Sequence, residues 1–294
     1  MIWWRYLCLD TTNLVFKESE FVNLSAFDKE TKRNERKLFV DIMCRWISVF
    51  TGEFIDSFEL YLSDLEGFEK EIISLIEFAT SKRVKNLVLD FSDTISKKDS
   101  AIDHLHKLIY YQTHGLDISR LVFNLLYVEN LTICSFLLQM IQDCDNPKEL
   151  HEPMKTKHLV MKTNMHTNEF GGISIFLNCC PELESLTFDM LTTELIVRPS
   201  LPFDSETYWL TNKTYDCLEK TLKVVEVKNF RGRPNELHVL QYLIRTGLVM
   251  ERLDLYEAKG LNDNERRLVL AGAEEVQRKF KRGSSHLRIT LHNA

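Results

Sequence analysis

A six-residue pattern, apolar-x-x-apolar-x-apolar, recurs along this chain and limits its folding options more than any other feature. It reads Ile55-Asp-Ser-Phe58-Glu-Leu60, Val84-Lys-Asn-Leu87-Val-Leu89, Val128-Glu-Asn-Leu131-Thr-Ile133, Leu183-Glu-Ser-Leu186-Thr-Phe188, Leu222-Lys-Val-Val225-Glu-Val227 and Met250-Glu-Arg-Leu253-Asp-Leu255. Poorer copies are Thr156-Lys-His-Leu159-Val-Met161 and Ser284-Ser-His-Leu287-Arg-Ile289. With the fourth residue as anchor, the steps from 58 to 287 are 29, 44, 28, 27, 39, 28 and 34. Alternating apolar positions describe a strand with one buried face. A strand returning every 27 to 29 residues describes stacked units, each covering the open face of its neighbour.

Between anchors the period changes from two to about 3.6. Glu69 to Ala79, Ala101 to Ile109, Phe170 to Leu177, Leu237 to Ile244 and Leu268 to Phe280 each carry one apolar stripe, so a helix is expected in each. Asn168 and Asn235 stand where N-caps would start two of them, and Gly247 where one would end. The long steps should hold an extra helix or a surface excursion. Leu191 to Tyr215, with Pro199 and Pro202, is the best candidate for an irregular loop. Only 10 Gly and 6 Pro occur in 294 residues, which disfavours turn-rich sandwiches, barrels and propellers. The expected fold is therefore α/β: an irregular leucine-rich-repeat solenoid of strand–helix units. A doubly wound sheet also alternates strands and helices, but it would need a Gly-rich turn after an early strand, and none is present.

Chemistry-bearing motifs are missing. There is no Gly-x-Gly-x-x-Gly, phosphate-cradling Gly-Lys-[Ser/Thr], nucleophile elbow or His-Glu-x-x-His. Gly171-Gly172 opens a helical segment and reads as close packing of helix on strand rather than an anion site. His104 and His106 diverge on a helix and cannot easily share a metal. Cys179 and Cys180 could join His158 and His166 only if neighbouring strands aligned them, and buried structural thiols are the simpler expectation. Glu182 and Glu184 read as solvated. The expectation is no catalytic residue, no cofactor and no metal.

Charge and cysteine usage bound the setting. Net charge is −6, and of the two basic runs, Lys32 to Lys37 precedes a helix while Arg278 to Arg282 closes one, where cations meet the helix dipole. The acidity and the lack of an aromatic-lined basic groove argue against nucleic acid as a partner. No stretch approaches the roughly 18 apolar residues of a membrane span. Seven cysteines with no Cys-x-x-Cys suit reduced thiols. An intracellular protein of nucleus or cytoplasm is expected, with no membrane partner.

Residues Cys217 to Leu237, continuing through Tyr242-Leu243-Ile244 and Met250-Glu251-Arg-Leu253, resemble the C-terminal FBD-type segment of plant F-box/leucine-rich-repeat proteins. Asn168 to Leu186 resembles the preceding repeat of that family, and Arg83 to Phe91 an early one. Trp4-Arg5-Tyr6-Leu7 resembles the end of an F-box. The resemblance implies residues 1–10 as the remnant of an F-box end, 11–215 as degenerate repeats and 216–294 as FBD-type terminal repeats. It also implies a non-catalytic substrate-recognition subunit of an SCF (Skp1-cullin-F-box) ubiquitin ligase. Trp3, Trp4, Arg5, Tyr6 and Leu7 would face the Skp1-type adaptor. Trp3 and Cys8 depart from the usual residues, and a seven-residue remnant cannot bury the ~1,200 Å² of a stable contact. Adaptor binding is therefore expected to be weakened, and the alternative is a stand-alone repeat protein with no role in ubiquitin transfer. Solvent-facing strand positions, for example Glu184, Glu226, Lys228 and Asp254, are the expected contacts with an unknown target protein.

Overall fold

The computed structural model describes residues 11–22, 29–63, 65, 67–91, 125–141, 153–191, 205–211 and 213–294. Nine strands form one parallel sheet in strict chain order: β1 (Asn13–Lys17), β2 (Ser57–Tyr61), β3 (Asn86–Asp90), β4 (Asn130–Cys134), β5 (His158–Thr163), β6 (Ser185–Met190), β7 (Val224–Phe230), β8 (Arg252–Glu257) and β9 (Arg288–His292). A doubly wound sheet reverses its strand order at a switch point. This one never does, so the sheet is that of a repeat solenoid.

The anchors lie side by side. Leu14 pairs with Phe58, Phe58 with Leu87, Leu87 with Leu131, and Leu131 with Leu159; the row continues through Leu186, Val225 and Leu253. Two details differ from the sequence expectation. The row begins one strand earlier, at Leu14, and its last member is Ile289 rather than Leu287. Leu287 is also buried, but it precedes the strand, in a turn where its carbonyl accepts from Arg282. A second apolar row two residues on, including Leu60, Leu89, Ile133, Met161, Phe188, Val227 and Leu255, is 0% exposed. These two rows are the wall on which the helices pack.

The helices are α1 (Lys29–Val49), α2 (Glu69–Ser81), α3 (Ser135–Ile141), α4 (Phe170–Cys179), α5 (Ser205–Trp209), α6 (Asp216–Lys220), α7 (Pro234–Thr246) and α8 (Asp263–Arg278). The first basic run lies inside α1 rather than before it, and its Arg36 turns inward to the buried Glu18 at 2.7 Å. The described part of Leu191 to Tyr215 holds α5. Its Tyr208 and Trp209 pack on Phe170, and Trp209 packs on Tyr242, so aromatic burial orders a stretch that polar and proline content marked as loop. The helix expected over Ala101–Ile109 lies outside the described residues.

Helix starts are also set differently. Asn168 sits in a 3₁₀ turn (Thr167–Glu169), and the side chain capping that turn belongs to His166. Asn235 follows Pro234 inside α7, whose N-cap Arg233 makes no side-chain capping bond. The glutamate after each asparagine does the work instead. Glu169 accepts from Thr163 Oγ1 (2.9 Å), His166 N (2.8 Å) and Asn164 N, and Glu236 accepts from Arg231 N (2.9 Å) and Gly232 N (3.0 Å). Gly247 does end α7. A Cβ on Gly172 would lie 2.2 Å from the Leu138 carbonyl oxygen, so this glycine permits close packing of α4 on α3, helix on helix rather than helix on strand.

Candidate partner-binding face

Strand side chains alternate between two faces, so the buried rows leave three other rows on the opposite face. One residue before the anchors stand Asn86, Asn130, His158, Ser185 and Arg252. One residue after them stand Glu59, Val88, Thr132, Val160, Thr187, Glu226 and Asp254. Three after them stand Lys17, Tyr61, Asp90, Cys134, Lys162, Asp189 and Lys228, with Tyr256 and His292 at the far end. This face is polar at most positions, and it is the surface on which a partner could be read.

Short hydrogen bonds organise the first half of the face. Asn130 Nδ2 donates to Asn86 Oδ1 at 2.6 Å, Asn86 Nδ2 donates to the Asp56 carbonyl at 3.0 Å, and His158 Nδ1 meets Ser185 Oγ at 2.7 Å. Lys162 crosses β4 to reach Asp90 at 2.5 Å, and its ammonium also lies 5.6 Å from the centre of the Tyr61 ring. Lys17 approaches the same ring at 5.4 Å. Tyr61 donates to Glu59 at 2.9 Å; burial, together with that carboxylate, holds its phenol well above the usual range.

The second half centres on Asp254. Arg252 Nε lies 2.7 Å from Asp254 Oδ2, and His292 Nε2 lies 2.9 Å from Asp254 Oδ1. Arg252 also reaches Glu226 at 3.8 Å, and His292 stacks on Tyr256 with ring centres 4.6 Å apart. Partial burial, with Glu226 and Asp254 nearby, raises the Tyr256 phenol above its ordinary value.

The four expected contact residues therefore occupy different settings. Glu184 is exposed and directly precedes β6; Glu226 is half-buried on β7; Lys228 is exposed on β7 with no described ion-pair partner. Asp254 departs from the expectation of a solvent-facing position. It is only 4% exposed, because Arg252 and His292 close over it. Those two side chains, with Tyr256, present the surface there. Arg252 was legible as the residue before an anchor, whereas His292 becomes so only when the last anchor moves to Ile289. Trp3, Trp4, Arg5, Tyr6 and Leu7 lie outside the described residues, as do His104 and His106.

Other candidate sites disperse. Cys179 and Cys180 are buried while His158 and His166 are engaged elsewhere, and no group of three metal-ligating side chains occurs among the described residues. Burial pushes the Cys179 thiol up to about 11 and those of Cys134 and Cys217 up to about 12, so they are poor nucleophiles. In the second basic run, Arg278 pairs with Glu274, Lys279 with Glu275, and Arg282 donates to two backbone carbonyls. Among the described residues no helix is long and apolar enough to cross a membrane.

Comparison with known families matches residues 213–255 to the FBD family. These residues run from before α6 to the middle of β8. An F-box/LRR-repeat protein of Arabidopsis thaliana is 30% identical, over 95% of this chain and 89% of its own length. An F-box protein of the same plant is 29% identical over 98% and 92%, and a further F-box/LRR-repeat protein is 28% identical over 93% and 88%. The first alignment spans 423 positions, more than the 294 residues of this chain, so the relative carries insertions between matched segments. An in-register parallel repeat sheet, an FBD match at its C-terminal end and these near full-length likenesses agree: the chain belongs to the F-box/LRR-repeat protein family.

Proposed function

We propose that this protein is a non-catalytic target-recognition module of an SCF-type ubiquitin ligase, holding a protein target on the polar face of its repeat sheet. The observation that carries this reading is the nine-strand parallel sheet, which buries one set of rows against helices and turns polar and charged rows the other way. Among the described residues of that face no nucleophile, base and oxyanion donor come together, and the chemistry proposed for it is that of contact and exclusion. Ubiquitin transfer would belong to other subunits. Residues 11–215 serve as the repeats and 216–294 as the FBD-type terminal repeats, within one continuous sheet. A nuclear or cytoplasmic setting follows from that role.

The test is gel filtration of the purified chain mixed with a purified Skp1-type adaptor. Because the remnant is short, partial co-elution that grows with protein concentration is the expected result for a ligase receptor, and Ala substitutions at Trp3, Trp4 and Tyr6 should abolish it. A folded chain that remains apart from the adaptor would overturn the ligase role and leave a stand-alone repeat protein.

A further inference from the structure

Two residues before each of the seven anchors from Phe58 to Leu253 stands a charged side chain, and its sign alternates from repeat to repeat: Asp56, Lys85, Glu129, Lys157, Glu184, Lys223, Glu251. The backbone joins Lys85 to Glu251 into one row along the edge where the strands begin, and Asp56 adjoins it by accepting from Asn86 N at 2.9 Å. Glu129 N donates to Lys85 O (3.2 Å), Lys157 N to Glu129 O (2.9 Å), Glu184 N to Lys157 O (2.8 Å), Lys223 N to Glu184 O (3.0 Å) and Glu251 N to Lys223 O (2.9 Å). Neighbouring backbones are thus one strand spacing apart, about 4.8 Å. Five of the seven are exposed, and Asp56 and Lys157 are half-buried. Lys223 and Glu251 close to 3.8 Å. Apart from Glu184, this row took no part in the functional reading of the open face.

Its use follows from what the core cannot do. The anchor row repeats leucine at 87, 131, 159, 186 and 253, so a repeat stacked on its next-but-one neighbour would bury nearly the same side chains. Looping out one repeat is also entropically cheap, because closure cost grows only slowly with loop length. Burial by itself therefore discriminates poorly between correct stacking and a skip. The charged row discriminates well. Consecutive repeats place opposite signs on neighbouring backbones, although among these pairs only Lys223 and Glu251 come within 4 Å, and any skip by one repeat places like signs there, which is destabilising for residues opposite one another. We propose that this alternating row is a register device that specifies consecutive stacking of the repeats and opposes skipped or swapped assemblies. A docking role for the same row is disfavoured, since charges that cancel between neighbours project little field toward a partner.

The test compares refolding yield of native monomer, by gel filtration and circular dichroism, after dilution from urea into low salt. Changing Lys85→Glu, Lys157→Glu and Lys223→Glu together makes the row all acidic; its yield should fall several-fold and recover near 1 M NaCl, where the screening length is about 3 Å. A charge-matched control with Lys37→Glu, Lys259→Glu and Lys281→Glu, exposed positions off the row, should refold like the parent. A variant with all seven signs reversed keeps the alternation and should also refold like the parent. The proposal is overturned if the sign-reversed row refolds as poorly as the acidic row. It is equally overturned if the acidic row refolds no worse than the control. Should the triple variant yield no soluble protein, Lys157→Glu alone, which places three acids in succession, is read by the same criteria.

Discussion

The turn from β5 into α4 and the turn from β7 into α7 face the same physical problem and solve it to different degrees. In both, a parallel strand ends, the chain reverses onto the helical layer, and backbone N–H groups are left inside the protein, where an unmet donor costs about 1–3 kcal/mol. In both, a 0% exposed glutamate reaches back to accept them. Glu169 does so with a set of donors from backbone and side chain, including Thr163 Oγ1 and His166 N. Glu236 gathers Arg231 N and Gly232 N on one oxygen, while its other oxygen, Oε1, is buried without a described partner. The entry to α8 shows the solvent-exposed version of the motif. There Asn262 Oδ1 accepts from Asn264 N and Glu265 N at 3.0 Å, and Asn262 N donates to Glu265 Oε2 at 2.9 Å. A buried carboxylate at a repeat turn is thus held first by the donors it collects, and at Glu236 the charge of Arg233 adds to them.

The largest expected effect is on truncation. Glu169→Ala leaves unmet the buried donors Thr163 Oγ1 and Asn164 N and the half-buried His166 N, and should cost about 3–5 kcal/mol in urea unfolding, against about 2–3 kcal/mol for Glu236→Ala. Equal losses would break the comparison. Glutamine substitution sharpens it. Glu236→Gln can keep one accepting oxygen and place its amide where no bond is lost, so it should stay within about 1 kcal/mol of the parent. Glu169→Gln should cost about 1–2 kcal/mol more than that, because a donor then faces donors.

A pH series gives a smaller effect with a definite sign. Burial raises both carboxyls above their ordinary 4.5, opposed in Glu169 by bonds from Ser135, His166, Thr163 and Asn164. A folded state that holds its proton more tightly than the unfolded chain gains most stability below about pH 4.5. That gain is lost as pH rises to the raised native value. Stability attributable to these two residues should therefore decline with rising pH, and the double glutamine variant should flatten the slope. A contribution that grows over that interval would contradict the assignment. The smallest effect is chemical: with the native protein at pH 8, iodoacetamide should label half-buried Cys44 slowly and leave Cys134, Cys179, Cys180 and Cys217 untouched.

The same glutamates mark where sequence patterning stopped being informative. Asn-Glu recurs at 168–169, 235–236 and 264–265, each at a helix start. Propensity favours asparagine as the cap, yet the buried acceptor at the first two is glutamate, because only its longer side chain reaches back to the turn. Asp254 followed the same logic on the open face: its strand position was legible, its enclosure by Arg252 and His292 was not. Gly172 was legible as a close contact, but that the contact is the Leu138 carbonyl on α3 depends on how neighbouring helices pack.

What the sequence determined by itself was periodic. The interval between anchors, the change of period from strand to helix, and the alternating charge before the anchors from Phe58 to Leu253 all follow from local repetition. A stack of like units turns that repetition directly into neighbouring rows. Contacts between non-equivalent residues set the rest: the first strand at Leu14, the shift of the last anchor to Ile289, the inward turn of Arg36, and the ordering of α5 by aromatic burial. Burial and hydrogen-bond satisfaction are properties of a site's surroundings, and in this chain those surroundings come from the adjacent repeats.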